Sequence, residues 1–370
     1  MHVGIVGSGQ LARMLALAGW PMDVTFSFLA EENENSIGVD GLGDVVRRTD
    51  SASVSQIFAA MGRPDVITVE REHVDTDLLT GLAEHCPVRP GAKAVHACQH
   101  RLREKELISS LQLDTAPYRH ANDTDEVRAA AADLGLPLVI KNCAEGYDGK
   151  GQWHIRAAQQ LEEFCASSTE GDWLVESMIA FDREISIIAA RSANGEIAMY
   201  PPTENLHEQG VLITSMAPAS DISDALDKAC HHYVHSLLEA LDYVGVMAME
   251  CFVKGDRLMI NELAPRVHNS GHWTINSHVT SQFENHLRAI LGLRLGNTAT
   301  DHYAGMINIL GHHDEARELQ LLSAESALHL YNKTDAPRRK LGHINVTTTS
   351  RDSLRAELER LHHALYEDAD

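Results

Sequence analysis

The spacing of apolar residues changes along the chain, and each change predicts an element. His2-Val3-Gly4-Ile5-Val6 reads as a short strand running into Gly7-Ser8-Gly9, and the stretch from Leu11 to Leu17 has helical spacing. Val24 to Leu29 and Asp65 to Val69 are again strand-like, so the order is β-α-β and predicts a parallel, doubly wound sheet. His100 to Lys105 becomes a charged helix at a plausible domain junction. Asp123 to Leu134 is a helix closed by Gly135 and stopped by Pro137. Leu138 to Lys141, Trp153 to Ile155 and Trp173 to Glu176 read as strands, the first two separated by the glycine-rich stretch Glu145 to Gln152. Further on, strands Ile185 to Ala190 and Val246 to Val253 bracket a long amphipathic helix, Ala225 to Leu241. Arg257 to Glu262 returns as a hairpin through Gly255-Asp256. Short strands and a basic run, Pro337 to His343, follow, and the acidic end Glu367 to Asp370 should fray. There is no internal repeat.

Length and charge narrow the picture. At 370 residues the chain exceeds one usual core and implies two or three domains. With 44% hydrophobic and 23% charged residues it is globular rather than disordered. Its 31 basic side chains against 53 acidic ones leave a formal charge of −22, a field that repels nucleic acid and anionic membrane. An anionic substrate would therefore need basic residues gathered in one place. The cysteines, Cys86, Cys98, Cys143, Cys165, Cys230 and Cys251, form no C-x-x-C pair and no zinc-ribbon spacing, and read as reduced thiols. The N-terminus has no signal-peptide pattern, and no apolar run approaches the ~18 residues that span a bilayer. A cytoplasmic protein is expected.

Four stretches carry chemistry. Gly7-Ser8-Gly9-Gln10-Leu11-Ala12 satisfies the dinucleotide fingerprint G-x-G-x-x-A, and Glu31 lies where a ribose-binding acid belongs. The same turn also serves α/β domains that bind no nucleotide. Gly146-Tyr147-Asp148-Gly149-Lys150-Gly151 is not a Walker A loop, because the spacing is wrong and no Ser or Thr follows the lysine. Its glycines still admit backbone N–H groups to phosphate oxygens, and Lys150 adds a point charge, although a solvated turn is the plain alternative. Lys141, ending an apolar strand, demands an anion.

Glu250 and Glu262 sit in otherwise apolar strands. Two buried carboxylates facing each other repel unless a cation lies between them, and magnesium with nucleotide phosphates fits. Exposed glutamates on an edge strand are the alternative. Asn261 should point to the opposite face unless the strand ends there. In the polar run Ala264 to Trp273, Arg266 suits a phosphate or carboxylate and His268 suits hydrogen bonding or proton transfer, against an ordinary surface loop. His268 and His272 have zincin spacing, but Asn269 replaces the required Glu, and Pro265 and Gly271 disfavour helix. His231, His232, His235, His312 and His313 read as surface residues, and no G-x-S-x-G elbow is present.

On these residues the chain resembles the ATP-grasp superfamily and, within it, the family of 5-(carboxyamino)imidazole ribonucleotide synthases, ATPase subunits of phosphoribosylaminoimidazole carboxylase. The matching segments follow in family order: Gly9-Gln10-Leu11, Gly146 to Gln152, Tyr200-Pro201, Glu204 to His207, Gly245 to Val253, Asn261 to Trp273, Ser281 to Glu284 and Arg339 to His343. Glu145 departs from the pattern, standing where a glycine is common. The resemblance implies a mixed α/β and α+β fold. A Rossmann-like, pre-ATP-grasp parallel-sheet domain would take 1–100, and the ATP-grasp small domain with its phosphate flap 101–172. The large domain with metal and substrate sites would take 173–298, and a C-terminal part completing the pocket 299–370.

The resemblance also implies roles. ATP would meet Arg101, Lys141, Gly146, Tyr147, Asp148, Gly149, Lys150, Gly151, Gln152, Glu176, Ser177, Met178, Ile179, Glu184, His207, Asn261 and Glu262. Mg2+, with Mn2+ as a substitute, would sit on Glu250 and Glu262. Aminoimidazole ribonucleotide and the reactive carboxyl species would meet Tyr147, Asp148, Lys150, Arg266, His268, Asn269, Ser270, Arg339 and Lys340, with Gln10, Leu11 and Glu70 closing the pocket from the first domain. Asp148, Lys150, Arg266, His268 and Lys340 would be catalytic, with either Asp148 or His268 taking the amine proton. The implied reaction is ATP-dependent carboxylation with bicarbonate in purine biosynthesis by a homodimer that binds only small molecules. Three rivals stand beside it: another ATP-grasp ligase such as a formate-dependent ribonucleotide formyltransferase, an NAD-dependent dehydrogenase, and a catalytically dead scaffold.

Overall fold

The computed structural model describes residues 1–144 and 151–367. The expectations placed on Glu145, Gly146, Tyr147, Asp148, Gly149 and Lys150, and on the last three residues, lie outside the described residues. At the N-terminus the apolar runs pair as expected. Strands β1 (His2–Val6), β2 (Thr25–Ala30), β3 (Asp44–Arg47) and β4 (Val66–Val69) form an all-parallel sheet in the order β3-β2-β1-β4. The helix Gln10–Gly19 turns Leu11, Ala12, Met14, Leu15 and Ala16 into its core.

A second sheet is antiparallel, from β5 (Tyr118–Asp123), β6 (Leu138–Asn142), β7 (Gln152–Ile155) and β8 (Glu170–Ser177) in the order β5-β8-β6-β7. The helix Thr124–Leu134 starts where the Asp123 carboxylate accepts the N–H groups of Asp125 and Glu126 and ends at Gly135, whose φ of +74° suits glycine. The junction expected at 172/173 falls inside β8. Trp173 to Ser177 still hydrogen-bonds to β5 and β6, so the small sheet runs to Ser177.

The third sheet holds β9 (Arg183–Arg191), β10 (Ile197–Met199), β11 (Thr203–Glu208), β12 (Val211–Ala217), β13 (Gly245–Lys254), β14 (Arg257–Ala264), β15 (Tyr303–Leu310), β16 (Ser326–Leu330) and β17 (Lys340–Thr348). Its order is β14-β13-β9-β11-β12-β15-β17-β16, with β10 on the flank of β9. The C-terminal strands therefore extend the sheet that carries β13 and β14. One face packs on the helix Asp224–Ala240 through Leu226, Cys230, Val234, Leu237 and Leu238. The other shares a core with the first domain, in which Leu15 and Phe26 meet Ile188, Val246, Trp273 and Leu287. Each such fully buried side chain contributes about 1.5–3 kcal/mol, so the first domain is firmly seated against the large sheet. All six cysteines are free, and among the described residues no helix is long and apolar enough to cross a membrane.

Candidate active site

The two acidic strands meet in register. Glu250 on β13 is the partner of Glu262 on β14, and Glu250 also faces Ser186 on β9. Neither carboxylate is fully sequestered: the Glu250 side chain is 14% exposed and that of Glu262 39%, so the expectation of two buried glutamates holds for only one. Between the pairs Cys251–Ile260 and Glu250–Glu262 the register shifts, leaving Asn261 as the extra residue of a β-bulge. That corrects the expectation for Asn261. The strand continues, yet its side-chain Oδ1 accepts from Lys141 Nζ at 3.3 Å, on the same side as Glu262.

The charges around the pair are unequal. Arg101 Nη1 lies 3.1 Å from Glu262 Oε2. Burial pushes the Glu262 carboxyl up, but Arg101 and Lys141 prevail and hold it below its ordinary value. Glu250 moves the other way, raised by burial and then by the charge of Glu262. Two oxygen donors side by side, one ionised and one resisting ionisation, are what a hard divalent cation would resolve.

A third carboxylate has its charge balanced from within the chain. Glu176, at the end of β8, lies 2.5 Å from Lys141 Nζ and 2.9 Å from Lys105 Nζ. Burial opposes its charge, yet the two lysines hold its carboxyl down at about 2. The anion that Lys141 requires is therefore supplied by the protein itself. Beyond Glu176 the chain crosses to the large sheet, with Ser177 N–H donating to the Pro117 carbonyl and Met178 N–H to that of Pro137; Ile179 follows in the same crossing. On the large sheet Glu184 Oε2 meets His207 Nδ1 at 2.8 Å. Burial lowers the His207 ring, but its bond to Glu184 and the nearby Glu250 raise it overall.

His268 is held in one tautomer. Its Nδ1 accepts the Ser270 backbone N–H at 3.3 Å and the Ser270 hydroxyl at 2.9 Å, while Ser186 donates its own hydroxyl proton to Ser270. Burial, then Arg266, Lys340 and His207, hold the ring well below its ordinary value and hence neutral. The remaining proton is therefore on Nε2, 3.3 Å from Glu250 Oε1. Arg266 Nη2 lies 2.7 Å from Glu72 of the first domain. Asn269 exchanges amide hydrogen bonds with the buried Asn308 at 3.1 and 2.8 Å. Lys340 begins β17 and its charge reaches both Glu250 and His268. Arg339 is turned elsewhere, donating to Thr334. His272 is buried and hydrogen-bonded to Gln282, which leaves it no part in a zincin pair.

The glycine turn is already filled. Glu70, 7% exposed, accepts from Gly9 N–H at 2.8 Å and Ala12 N–H at 3.2 Å. Gly7 has φ +118°, and a Cβ there would come within 2.4 Å of Glu70 Cγ. Glu34 takes the Ser8 N–H and hydroxyl, and Glu31 lies beside Arg71 and Arg48. A pyrophosphate in this turn would meet two carboxylates, which removes the dinucleotide reading. Gln10 contacts Lys333, and Leu11 is buried in the domain core.

Lys105, Glu104 and Glu72 were not singled out from the sequence. Lys105, 1% exposed, also donates to Thr115 Oγ1 at 2.7 Å and the Asn261 carbonyl at 2.9 Å. Glu104 accepts from Leu263 N–H at 2.9 Å, and burial pushes its carboxyl up to about 8. A signal was present: Arg101, Glu104, Lys105 and Ile108 fall on one face of the helix Arg101–Ser110. That face is charged where a packing helix is ordinarily apolar.

Comparison with known proteins matches three segments. Residues 1–99 match the ribonucleotide synthetase preATP-grasp domain, 106–283 the ATP-grasp domain, and 304–357 the phosphoribosylaminoimidazole carboxylase C-terminal domain. The chain is 38% identical to an N5-carboxyaminoimidazole ribonucleotide synthase of Vibrio cholerae, over 100% of this chain and 97% of that one. A crystal structure of N5-carboxyaminoimidazole ribonucleotide synthetase from Thermus thermophilus superposes with a TM-score of 0.90 at 38% identity, covering 100% and 99%. One of N5-carboxyaminoimidazole synthase from Aspergillus clavatus, in complex with ADP and 5-aminoimidazole ribonucleotide, gives 0.88 at 27% identity, covering 99% and 98%.

Proposed function

The chain belongs to the N5-carboxyaminoimidazole ribonucleotide synthase family, and on that premise we propose how its residues divide the work. It is an ATP-dependent ligase that carboxylates 5-aminoimidazole ribonucleotide in purine biosynthesis. The observation that carries the residue assignment is the register pairing of Glu250 with Glu262 beside Arg101, Lys141 and Glu176.

Bicarbonate is a poor electrophile, because negative charge shields its carbon and hydroxide leaves badly. Phosphorylation by ATP gives carboxyphosphate, whose phosphate departs readily. Glu250 and Glu262 are the residues that would hold magnesium, or manganese in its place; when bound, the ion supplies charge neutralisation at the transferring phosphoryl group. Arg101 keeps Glu262 ionised and aimed. Lys141, held between Glu176 and Asn261, keeps a fixed positive charge beside Glu262 at the edge of the nucleotide site. Glu184 and His207 border the same cleft.

His268 presents an N–H toward Glu250, not a lone pair, so its role is to donate and orient. Of the two candidates for the amine proton, Asp148 and His268, that leaves Asp148, while the resemblance to the family sets Tyr147 and Lys150 beside the substrate. Arg266 and Lys340 supply the positive field that a chain of net charge −22 needs for a ribonucleotide monophosphate. Arg339 joins them only if it leaves Thr334. The family's usual assembly supports a cytoplasmic homodimer, which sedimentation would test.

The assay is ADP release with ATP and magnesium, with bicarbonate and aminoimidazole ribonucleotide each present or omitted. ADP formation that depends on the ribonucleotide, with bicarbonate carbon in an acid-labile product, is expected. ATP turnover indifferent to the ribonucleotide would contradict the reading.

A further inference from the structure

Away from the carboxylate pair, three elements bring a second set of ligands together. His100 precedes the helix Arg101–Ser110, Cys143 follows β6, and Asp172 lies in β8. One ligand atom from each of the three lies within 4.8 Å of the others. His100 Nε2 is 2.8 Å from Asp172 Oδ2, and His120 Nε2 on β5 is 2.7 Å from Asp172 Oδ1. The backbone locks the arrangement, with Cys143 N–H donating to the Asp172 carbonyl at 2.8 Å. Cys143 is 2% exposed, whereas the Asp172 side chain is 46% exposed and gives solvent access.

Hydrogen bonding alone leaves this cluster unsettled. His100 Nδ1 is buried without a partner, so a charged ring would bury an unpaired N–H and a neutral one leaves an unpaired lone pair. The Cys143 thiol donates toward Asp172 and is pushed up to about 12, first by burial and then by that carboxylate. A buried thiol, an imidazole and a carboxylate form the mixed soft and borderline donor set that zinc takes, with water entering beside the exposed Asp172 as the fourth ligand. Tetrahedral coordination needs ligand atoms roughly 3.3–3.8 Å apart, so His100 Nε2 and Asp172 Oδ2, now hydrogen-bonded at 2.8 Å, must part slightly to admit an ion.

We propose that His100, Cys143 and Asp172, with His120 orienting the Asp172 carboxylate, form a site for a thiophilic divalent cation of the zinc class, distinct from the hard oxygen site at Glu250 and Glu262. Binding exchanges the Cys143 S–H proton, released to solvent, for a sulfur–metal bond, and tightens as pH rises. The site fastens the start of the Arg101 helix to the small sheet, and Arg101 N–H itself donates to the Cys143 carbonyl at 2.9 Å.

The test titrates the full chain with Co2+, in excess Mg2+ so that the oxygen site is filled. A thiolate-to-cobalt charge-transfer band should rise to one equivalent, and Zn2+ should abolish it and raise Tm by a few degrees. Cys143→Ser should eliminate the band, and Asp172→Asn should weaken Co2+ binding by about tenfold or more. Glu262→Gln should leave it intact. Absence of the band, or its persistence in Cys143→Ser, overturns the proposal. Should Cys143→Ser fail to fold, unchanged Co2+ affinity in the half-exposed variant Asp172→Asn would overturn it equally.

Discussion

Two regions of this molecule advertise charge chemistry, and they resolve it in opposite ways. At Gly7 to Ala12 the amides of a glycine turn point at an anion, and Glu70 supplies it from within the chain. At β13 and β14 two carboxylates are paired across strands, and one of them, Glu250, is pushed away from ionisation by burial and by the other. The first region is electrostatically complete and therefore structural. The second is incomplete, which is the ground for proposing a cation site there. A motif predicts function only when its charge is left for a ligand to balance.

The sharpest way to break that comparison is to remove a carboxylate from the incomplete region. Glu262→Gln should lower turnover by about 10²–10³-fold, since the charge stabilisation at stake is several kcal/mol, while thermal stability falls only modestly as Arg101 loses a carboxylate partner. Unaltered turnover would take Glu262 out of the metal site. Next in size is Lys105→Met, which strips one of the two partners of buried Glu176. It should cost about 3 kcal/mol and shift the denaturant midpoint accordingly. An unchanged midpoint would mean that Lys141 alone compensates the charge.

pH separates two neighbouring glutamates. Glu176 titrates at about 2 in the fold, below the ~4.3 of an unfolded glutamate. Its stabilisation is therefore present above pH ~4.3 and lost as pH falls toward 2. Glu104, at about 8, is protonated in the fold at neutral pH, so its contribution declines as pH rises from ~4.3 toward 8. Glu104→Gln should flatten that limb of a melting-temperature profile; an unchanged slope would refute the assignment. The smallest effect belongs to the complete region. Glu70→Gln should cost about 1 kcal/mol by weakening one acceptor for the turn amides, and should create no NADH binding in a fluorescence titration. NADH binding would revive the dinucleotide reading.

Much of this was legible in the sequence because it depends on single segments. The strands around Glu250 and Glu262, the hairpin through Gly255-Asp256 and the Gly135 stop all announce themselves locally. What was hidden depends on which strands meet. The bulge that turns Asn261 toward Lys141 is a property of the β13–β14 register, not of either strand alone. Likewise β8 joins the small sheet through β5 and β6, which moves the expected junction. The Arg266–Glu72 ion pair and the Lys105–Glu176 pair link segments far apart in the chain, so neither partner identifies the other. His268 was expected to serve hydrogen bonding or proton transfer, and which proton its ring carries emerges only from the Ser270 amide and the Ser186 hydroxyl behind it.

The central claim is that Glu250 and Glu262 form a divalent-cation site completed by nucleotide. Mn2+ binding followed by electron paramagnetic resonance, with and without ATP, tests it most directly in the intact chain and in Glu250→Gln and Glu262→Gln. Tight Mn2+ binding in the presence of ATP, weakened at least tenfold in both variants while the far-ultraviolet dichroism is unchanged, is the predicted result. Equal Mn2+ affinity in the intact chain and both variants would contradict it.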